Sequence, residues 1–276
     1  MKKLLIQSGV LLLLLALMST GHAQNERYIP VFCNQGHSLQ DAIDRATEGA
    51  LIDVFGTCNE AVVVQTGGLR IFGGAATLNP PAGSTGISVE FADNVRIHNF
   101  EIIGGGIGIQ ILRGSSVLVI NNTIRESTDV GLQIASGSYG EINGNFFHST
   151  SGNFAQIQVT GSSSARLNNN IITSSSGTGG GIEAAWASSV TARFNDISGT
   201  ARGIRVRQNA HLFLGSSNTV PTIFCGFSGS LRVDTAQTIT GGAGAVNLDP
   251  HCDLTVATGV IFPPAPPGPP PPVPPP

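Results

Sequence analysis

The chain has 276 residues, of which 41% are hydrophobic and 11% are charged, and its formal net charge is −3 at pH 7. The only lysines are Lys2 and Lys3, so the rest of the chain has twelve arginines against seventeen Asp and Glu. Because duplex nucleic acid is bound by strongly basic surfaces, this balance excludes nucleic acid as an expected partner.

Residues 1–23 have the plan of a secretory signal peptide. Lys2 and Lys3 precede the apolar run 11–17, and Ala23 is a small residue suited to signal peptidase. The apolar run is too short to be a stable anchor, and no second run of eighteen apolar residues follows. We therefore expect cleavage after Ala23, a secreted or periplasmic protein, and no membrane span in the mature chain.

A short amphipathic helix is predicted at residues 38–46. Ser38 suits the N-cap position, with Asp41 three residues later. Its apolar stripe consists of Leu39, Ala42, Ile43 and Ala46. We expect this helix to cover the open N-terminal end of the fold, because the first unit of a solenoid needs a cap. Strands are predicted near residues 51–54, 61–64 and 69–72.

The middle of the chain is an internal repeat. Five copies begin at Val95, Val117, Gly140, Ala165 and Val190, a spacing of about 22–25 residues that is typical of stacked repeats. A sixth, weaker copy begins near His211. In each copy an in–out alternation breaks at Asn, a residue that tolerates the left-handed backbone of a sharp corner. One register position is shared by Asn122, Asn145, Asn170 and Asn195. We expect these amides to form a stacked, hydrogen-bonded column.

A second strand of the pattern Gly-Ile-x-Ile follows a variable Gly/Ser loop in these copies. The inward positions are Ile109, Leu132, Ile157, Ile182 and Ile204, and the outward positions are Gln110, Gln133, Gln158, Glu183 and Arg205. The repeat predicts an all-β fold: a right-handed parallel β-helix over residues 24–260. Its coils should hold three strands and repeat every ~21–25 residues, most clearly over residues 95–215.

Four cysteines follow the leader. An even number in a secreted chain favours disulfides, and four cysteines allow three connectivities. We expect the local pairs Cys33–Cys58 and Cys225–Cys252, because the two members of each pair are separated by close to one coil of the repeat. Strands one coil apart lie about 4.8 Å from each other, within the Cα distance that a disulfide allows. Four buried free thiols are the alternative.

Residues 261–276 are dominated by proline and cannot pack a core, so an extended polyproline tail is expected. Such a tail is either a C-terminal stalk or the point at which a longer adhesin is cut.

The cap helix, the segment Gly56-Thr-Cys-Asn-Glu60, the Asn column and the Gly-Ile-x-Ile strands resemble the pectin-lyase-like β-helix superfamily. The resemblance covers about residues 30 to 255 and extends to small secreted bacterial β-helix repeat proteins of unassigned activity. It implies contact with acidic polysaccharides, which most enzymes of this superfamily cut or de-esterify. The motifs of polygalacturonases, pectate lyases and pectin methylesterases are missing, so no catalytic residue is carried over.

The outward column is the most organised polar surface that the sequence predicts. Gln110, Gln133, Gln158, Glu183 and Arg205 would offer one polar group every coil to an extended sugar chain. If chemistry occurs there, Glu183 is the candidate acid or base, and Arg205 or Arg207 the partner of a substrate carboxylate. The alternative is a solvated strand face on which Glu and Arg pair across coils.

A second outward column places Arg125 beside His148, with Glu126 and Asp129 in the adjoining loop, and His is a natural proton shuttle. Chance proximity of two charged residues is the alternative.

Trp186 is expected to face inward beside Ala184, although an outward Trp would be a platform for sugars. Asp249, His251 and Asp253 alternate as metal ligands could, but a disulfide-pinned terminal coil explains them better, so no metal site is predicted. No cofactor is expected, and Ca²⁺ would be needed only by a lyase.

These expectations combine into a secreted monomer that binds polysaccharide or a cell-surface glycan, or that serves as a structural surface module. A lyase or glycoside hydrolase acting on acidic polysaccharide is the alternative from the enzyme class. An adhesin fragment is a third possibility.

Overall fold

The computed structural model describes residues 27–149, 154–175, 179–226, 228–234, 237–240 and 246–257. The predicted leader at residues 1–23 and the predicted tail at residues 261–276 lie outside the described residues. Within the described part, no helix is long and apolar enough to span a membrane. The described chain is a parallel β-solenoid with three faces.

Face 1 is formed by the strand that precedes the Asn corner of each coil. Its strands are β1 (Tyr28–Phe32), β2 (Leu51–Cys58), β4 (Arg70–Leu78), β6 (Val95–Ile103), β8 (Ser116–Ile120), β11 (Tyr139–Asn143), β14 (Ser164–Asn168), β17 (Ser189–Arg193), β20 (His211–Leu214), β23 (Ser230–Val233) and β26 (Asp253–Val256). The long strands β2, β4 and β6 continue round the corner onto the next face.

Face 2 follows the corner, and face 3 carries the Gly-Ile-x-Ile strands. Face 2 consists of β9 (Thr123–Arg125), β12 (Phe146–Ser149), β15 (Ile171–Ser174), β18 (Asp196–Ser198), β21 (Thr219–Val220) and β24 (Thr238–Ile239). Face 3 consists of β3 (Val62–Val64), β5 (Thr85–Glu90), β7 (Ile107–Leu112), β10 (Val130–Ile134), β13 (Ala155–Val159), β16 (Gly180–Ala184), β19 (Arg202–Val206), β22 (Ile223–Cys225) and β25 (Val246–Leu248).

Every strand pair is parallel, and each strand pairs with the equivalent strand one coil away. Among the described residues, faces 1 and 2 belong to one 17-stranded sheet, and face 3 is a separate nine-stranded sheet. The predicted parallel β-helix with three-strand coils is therefore confirmed. The start of the sixth repeat needs a small correction, because Val190 pairs with Leu212, whereas His211 pairs with Ser189. The loop before β20 hides this register in the sequence.

The core is a set of aliphatic stacks that run along the solenoid axis. On face 3 the fully buried members in register are Ile87, Ile109, Leu132, Ile157, Ile182, Ile204 and Ile223. Glycine precedes many of them because the backbone is crowded there. A Cβ added at Gly181 would lie 2.4 Å from the carbonyl oxygen of Gly203, closer than any side chain tolerates.

The predicted Asn column is confirmed and is longer than the sequence showed. The Nδ2 group of each Asn donates to the Oδ1 atom of the next one, at 2.9–3.1 Å, from Asn122 through Asn145, Asn170 and Asn195 to Asn218. Gln237 then accepts from Asn218 at 3.0 Å. At the corners of Asn122 to Asn218 the left-handed residue is the one that precedes the column residue, such as Asn121 (φ 54°) or Phe194 (φ 56°).

The N-terminal cap is α1 (Leu39–Arg45), which confirms the helix predicted at residues 38–46. A short 3-10 turn (Cys33–Gln35) precedes it. Ser38 accepts a hydrogen bond from the backbone N–H of Asp41 at 3.1 Å, as an N-cap does. The Glu60 carboxylate accepts two further N–H bonds at the helix N-terminus, from Leu39 and Gln40. The role of Glu60 was not visible in the sequence.

Both predicted disulfides are present. Cys33–Cys58 and Cys225–Cys252 join neighbouring coils, with Cα–Cα distances of 5.0 and 5.6 Å. They stabilise the first and the last described coils, where each coil has a neighbour on one side only.

Candidate functional site

The outward column on face 3 is arranged as the repeat predicted, since Gln110, Gln133, Gln158, Glu183 and Arg205 occupy one register position. The Nε2 group of Gln110 donates to the Oε1 atom of Gln133 at 2.6 Å, and Gln133 donates likewise to Gln158 at 2.8 Å. Each amide has capacity for more hydrogen bonds than these, because an amide has two N–H donors and two acceptor lone pairs. Binding of a ligand by this column stays a prediction.

Glu183 follows the glutamines but is covered. Its side chain is only 8% exposed, because Arg205 and Arg207 lie over it. The Nε group of Arg207 is 2.7 Å from the Oε1 atom of Glu183, and the Nη1 group of Arg205 is 3.8 Å from the same oxygen. A carboxylate at this depth needs such a partner. The predicted group of Glu183, Arg205 and Arg207 is thus brought together, with the carboxylate beneath the guanidinium groups.

The prediction that Trp186 faces inward is wrong. Its side chain is 52% exposed and lies against Arg207, whose Cζ atom is 5.5 Å from the ring centroid. The reason is the backbone, which turns left-handed at Trp186 (φ 50°) and Ala187 (φ 57°). Ala184 and Ala185 are both buried, so the in–out alternation has already ended, and the turn directs the indole to the surface.

These side chains line a cavity of about 300 Å³ on face 3. Its lining residues include Phe154, Gln158, Glu183, Trp186, Arg202, Arg205 and Arg207. A neighbouring depression of about 330 Å³ shares Arg202 and Arg205 with it and continues to Phe224 and Asn247. The two together form a groove along the solenoid axis, called the face-3 groove below.

The sequence did not reveal Arg202 and Phe154 as parts of this groove. Arg202 begins β19 and stacks on Gly180 of the preceding coil, and the missing side chain at Gly180 leaves room for the cavity. Phe154 lies in the loop before β13 and is 52% exposed. The sequence does hold one signal for Arg202, since the equivalent residue one repeat earlier is Gly180. This equivalence can be recognised only when the register of the two strands is known.

The face-3 groove has an excess of positive charge. The groove is lined by Arg202, Arg205 and Arg207 but by one carboxylate, that of Glu183. Arg205 and Arg207 lie against this carboxylate, whereas Arg202 has no ion-pair partner among the described residues. Burial lowers the pKa of Arg205, and the neighbouring guanidinium groups of Arg207 and Arg202 lower it further, whereas Glu183 raises it. The guanidinium of Arg205 also lies over Phe224, 5.7 Å from its centroid. The groove would therefore gain electrostatically from an anionic ligand.

The second predicted pair, Arg125 and His148, occupies one register position on face 2. Arg125 donates to Glu101 at 2.9 Å and also pairs with Glu126, and the hydrogen bond to Glu101 raises its pKa. His148 instead bonds through Nδ1 to the hydroxyl of Thr173 at 2.8 Å. Among the described residues the two side chains do not hydrogen-bond each other, so the geometry favours the structural interpretation.

Two groups have the residue types of a metal site. The Oδ1 atom of Asp249 accepts from the backbone N–H of His251 and lies 2.8 Å from its Nδ1 atom, and these contacts lower the pKa of Asp249. Ligand atoms of Cys33, Cys58 and Glu60 lie within 4.8 Å of one another. The two cysteines form a disulfide and the carboxylate caps α1, so all three side chains already have structural roles.

A comparison with protein families finds one match that agrees with this geometry. A family model for the right-handed β-helix region matches residues 52–197, which is more than half of the chain. No curated protein matches the chain significantly.

Proposed function

The chain belongs to the right-handed β-helix family, and on that premise we propose that it is a secreted module that binds acidic polysaccharide in the face-3 groove. The fold by itself supports a structural or polysaccharide-related module. The finer statement depends on the side chains of the groove. The two disulfides of the chain are compatible with an oxidising, extracellular setting.

The observation that carries the proposal is a cavity lined by three arginines and one buried carboxylate. The charged side chains of the groove, Arg202, Arg205, Arg207 and Glu183, have a net charge of +2, although the formal net charge of the chain is negative. Guanidinium groups bind carboxylates through paired N–H donors, which matches the carboxylate of a uronic acid. The amides of the glutamine column then suit the hydroxyl groups of a sugar chain extended along the axis.

Trp186 adds an apolar surface to the same groove. Sugar rings pack their C–H faces on exposed aromatic rings, and the indole of Trp186 lies at the edge of the cavity beside Arg207. Because the indole is exposed, it offers an apolar face on which such a ring can pack. The groove thus combines charge, amide groups and a stacking surface on one face.

Binding fits the geometry better than catalysis does. Glu183 lies beneath the arginines and is bonded to Arg207 at 2.7 Å, so it cannot reach a ligand above them without breaking that ion pair. A lyase is the second candidate, in which Arg205, partly buried at the position that the substrate carboxylate would occupy, would act as the base; burial lowers the pKa of Arg205, which acts in that direction. The groove does not fit Ca²⁺, which prefers about six to eight oxygen ligands, since its only carboxylate is covered by two guanidinium groups.

The test is binding of the mature protein to polygalacturonate and to its methyl ester, which has the same backbone without the charges. We expect binding to the acidic polymer and much weaker binding to the ester. Arg205→Gln should lower the affinity by about 10-fold or more, since a hydrogen bond to a charged group contributes about 1.5–3 kcal/mol. Arg45→Gln removes the same charge from the far end of α1 and is the matched control.

Equal affinity for the acid and the ester, or equal effects of Arg205→Gln and Arg45→Gln, would contradict the proposal. Circular dichroism of each variant checks that the solenoid is intact. Absorbance of unsaturated products during the same incubations separates the two candidates. Product formation that Arg205→Gln abolishes would make the protein a lyase.

A further inference from the structure

We propose that face 1 carries a second polyanion site, centred on Phe213, and that the solenoid is therefore bivalent and cross-links acidic polysaccharide chains. This inference rests on the proposed function for the chemistry of the ligand. It adds a separate site and a separate activity.

The centre of the site is an aromatic ring flanked by two cations. Phe213 lies on β20, and the guanidinium Cζ atoms of Arg193 and Arg232 are 5.9 and 5.3 Å from its ring centroid. Arg193 comes from β17, one coil before the ring, and Arg232 from β23, one coil after it. Three successive coils therefore contribute one side chain each. A guanidinium stacked on a ring keeps its N–H edge free for an anion.

The position of Arg193 is fixed by a missing side chain. A Cβ added at Gly215 would lie 2.6 Å from the Cγ atom and 2.7 Å from the Nε atom of Arg193. The arginine thus lies directly across the glycine, and from there its guanidinium reaches Phe213. Binding loses less conformational entropy when a long side chain is already held in this way.

The surroundings of the ring are positive and recessed. Arg166, Arg193 and Arg232 form no ion pair with any described residue, although Arg166 is in register with Glu141. Glu141, Arg166, Asn168, Thr191, Arg193 and Phe213 line a depression of about 400 Å³. Two guanidinium groups and one carboxylate line the depression, and the guanidinium of Arg232 lies over the ring from the following coil, so positive charge is in excess here as in the face-3 groove. Charge complementarity therefore selects a polymer of carboxylated sugars as the occupant.

The two sites cannot serve one extended chain. The face-3 groove is built from β16, β19 and β22, whereas the Phe213 site is built from β17, β20 and β23 on face 1. A corner of the solenoid separates the two faces, so an axial polymer on one face does not contact the other. A protein with two such sites joins two polymers, and joint occupancy raises the avidity by about 10²–10⁴.

The experiment measures stoichiometry and bridging together. Calorimetry with a short oligogalacturonate should give two sites per wild-type chain and one site for either Arg205→Gln or the double variant R193Q/R232Q. Beads coated with polygalacturonate should be aggregated by the wild type, with at least a tenfold loss of aggregation in both variants. The matched control is Arg113→Gln, because Arg113 also lies over a ring, that of Phe91, but is already paired with Glu90.

The outcomes separate the two proposals. One site in the wild type, or bridging that survives R193Q/R232Q, overturns the Phe213 site and leaves the face-3 groove standing. Surviving bridging would then come from paired copies, which sedimentation would show. No binding by the wild type overturns the proposed function and this inference together. If Arg205→Gln retains one binding site, and adding R193Q/R232Q to it removes that site, the Phe213 site is supported independently of the groove.

Discussion

Truncation of one amide in the Asn column, by Asn170→Ala, tests what holds neighbouring coils in register. Asn170 is 0% exposed, and its amide makes four hydrogen bonds. It accepts from the backbone N–H and the Nδ2 group of Asn145, at 3.0 and 3.1 Å. It donates to the Ile142 carbonyl and to Asn195, both at 2.9 Å.

The magnitude follows from what the truncation leaves behind. The N–H of Asn145 loses its partner in a buried place, which costs about 2 kcal/mol, and each of the three other bonds contributes about 0.5–1 kcal/mol. The free energy of unfolding should therefore fall by about 4 kcal/mol. For a chain of this size, the melting temperature should fall by about 8–16 °C.

The assay is thermal and urea unfolding followed by circular dichroism. The matched control is Asn168→Ala on the same corner, because the half-buried Asn168 side chain forms no hydrogen bond among the described residues. This control should change the free energy of unfolding by less than about 0.5 kcal/mol. If Asn170→Ala loses no more than the control, the column does not stabilise the solenoid and the reasoning is refuted.

Two further predictions concern the last disulfide and a half-buried histidine. Replacing Cys225 and Cys252 by serine should lower the free energy of unfolding by about 3.5 kcal/mol, from the entropy of the loop that the disulfide closes. Dithiothreitol should shift the urea midpoint of the wild type further than that of the variant, because the variant retains only Cys33–Cys58; an unchanged midpoint in the variant would contradict the prediction. Burial, and secondarily the charge of Arg96, lower the pKa of His98 below 6.5. The neutral imidazole is therefore favoured in the folded state, and the stability that it contributes is present above pH 6.5 and is lost as the pH falls through the lowered pKa. Arg96→Gln should raise the pKa of His98 in an NMR titration but leave it below 6.5, and an unchanged pKa would argue against the charge effect.

The fold was predictable because the residues that lie in register on neighbouring coils of a solenoid are regularly spaced in the sequence. Residues one coil apart recur at a nearly constant distance along the chain, so the column of Asn122 to Asn195 and both cystine pairs could be predicted from spacing alone. Asn218 continues the same spacing, but the extension of the column to Gln237 was not predictable in this way. The step from Asn218 to Gln237 is shorter than the other steps of the column, and the amide changes from Asn to Gln, so the period is lost.

The candidate sites were predicted less completely, for local and for non-local reasons. Trp186 was misplaced because a left-handed conformation is rare for a bulky residue, and no propensity indicates it. The contacts of Phe213 with Arg193 and Arg232 depend on the register of three coils. Loops of variable length hide that register until the structure gives it. Glu183 was placed correctly in its column, but the depth to which two arginines cover it is a property of packing.

The column of amides has a direction, and both of its ends are closed. At its start the backbone N–H of Phe100 donates to Asn122, and every Nδ2 group then donates towards the C-terminus. At its end the longer side chain of Gln237 turns its Nε2 group back to the carbonyl of Gly215 instead of forward. The amide column thus ends before the coil of β26, the last described strand. That coil is held by its backbone pairing with β23 and by the Cys225–Cys252 disulfide, so a covalent link replaces the amide ladder at this end of the solenoid.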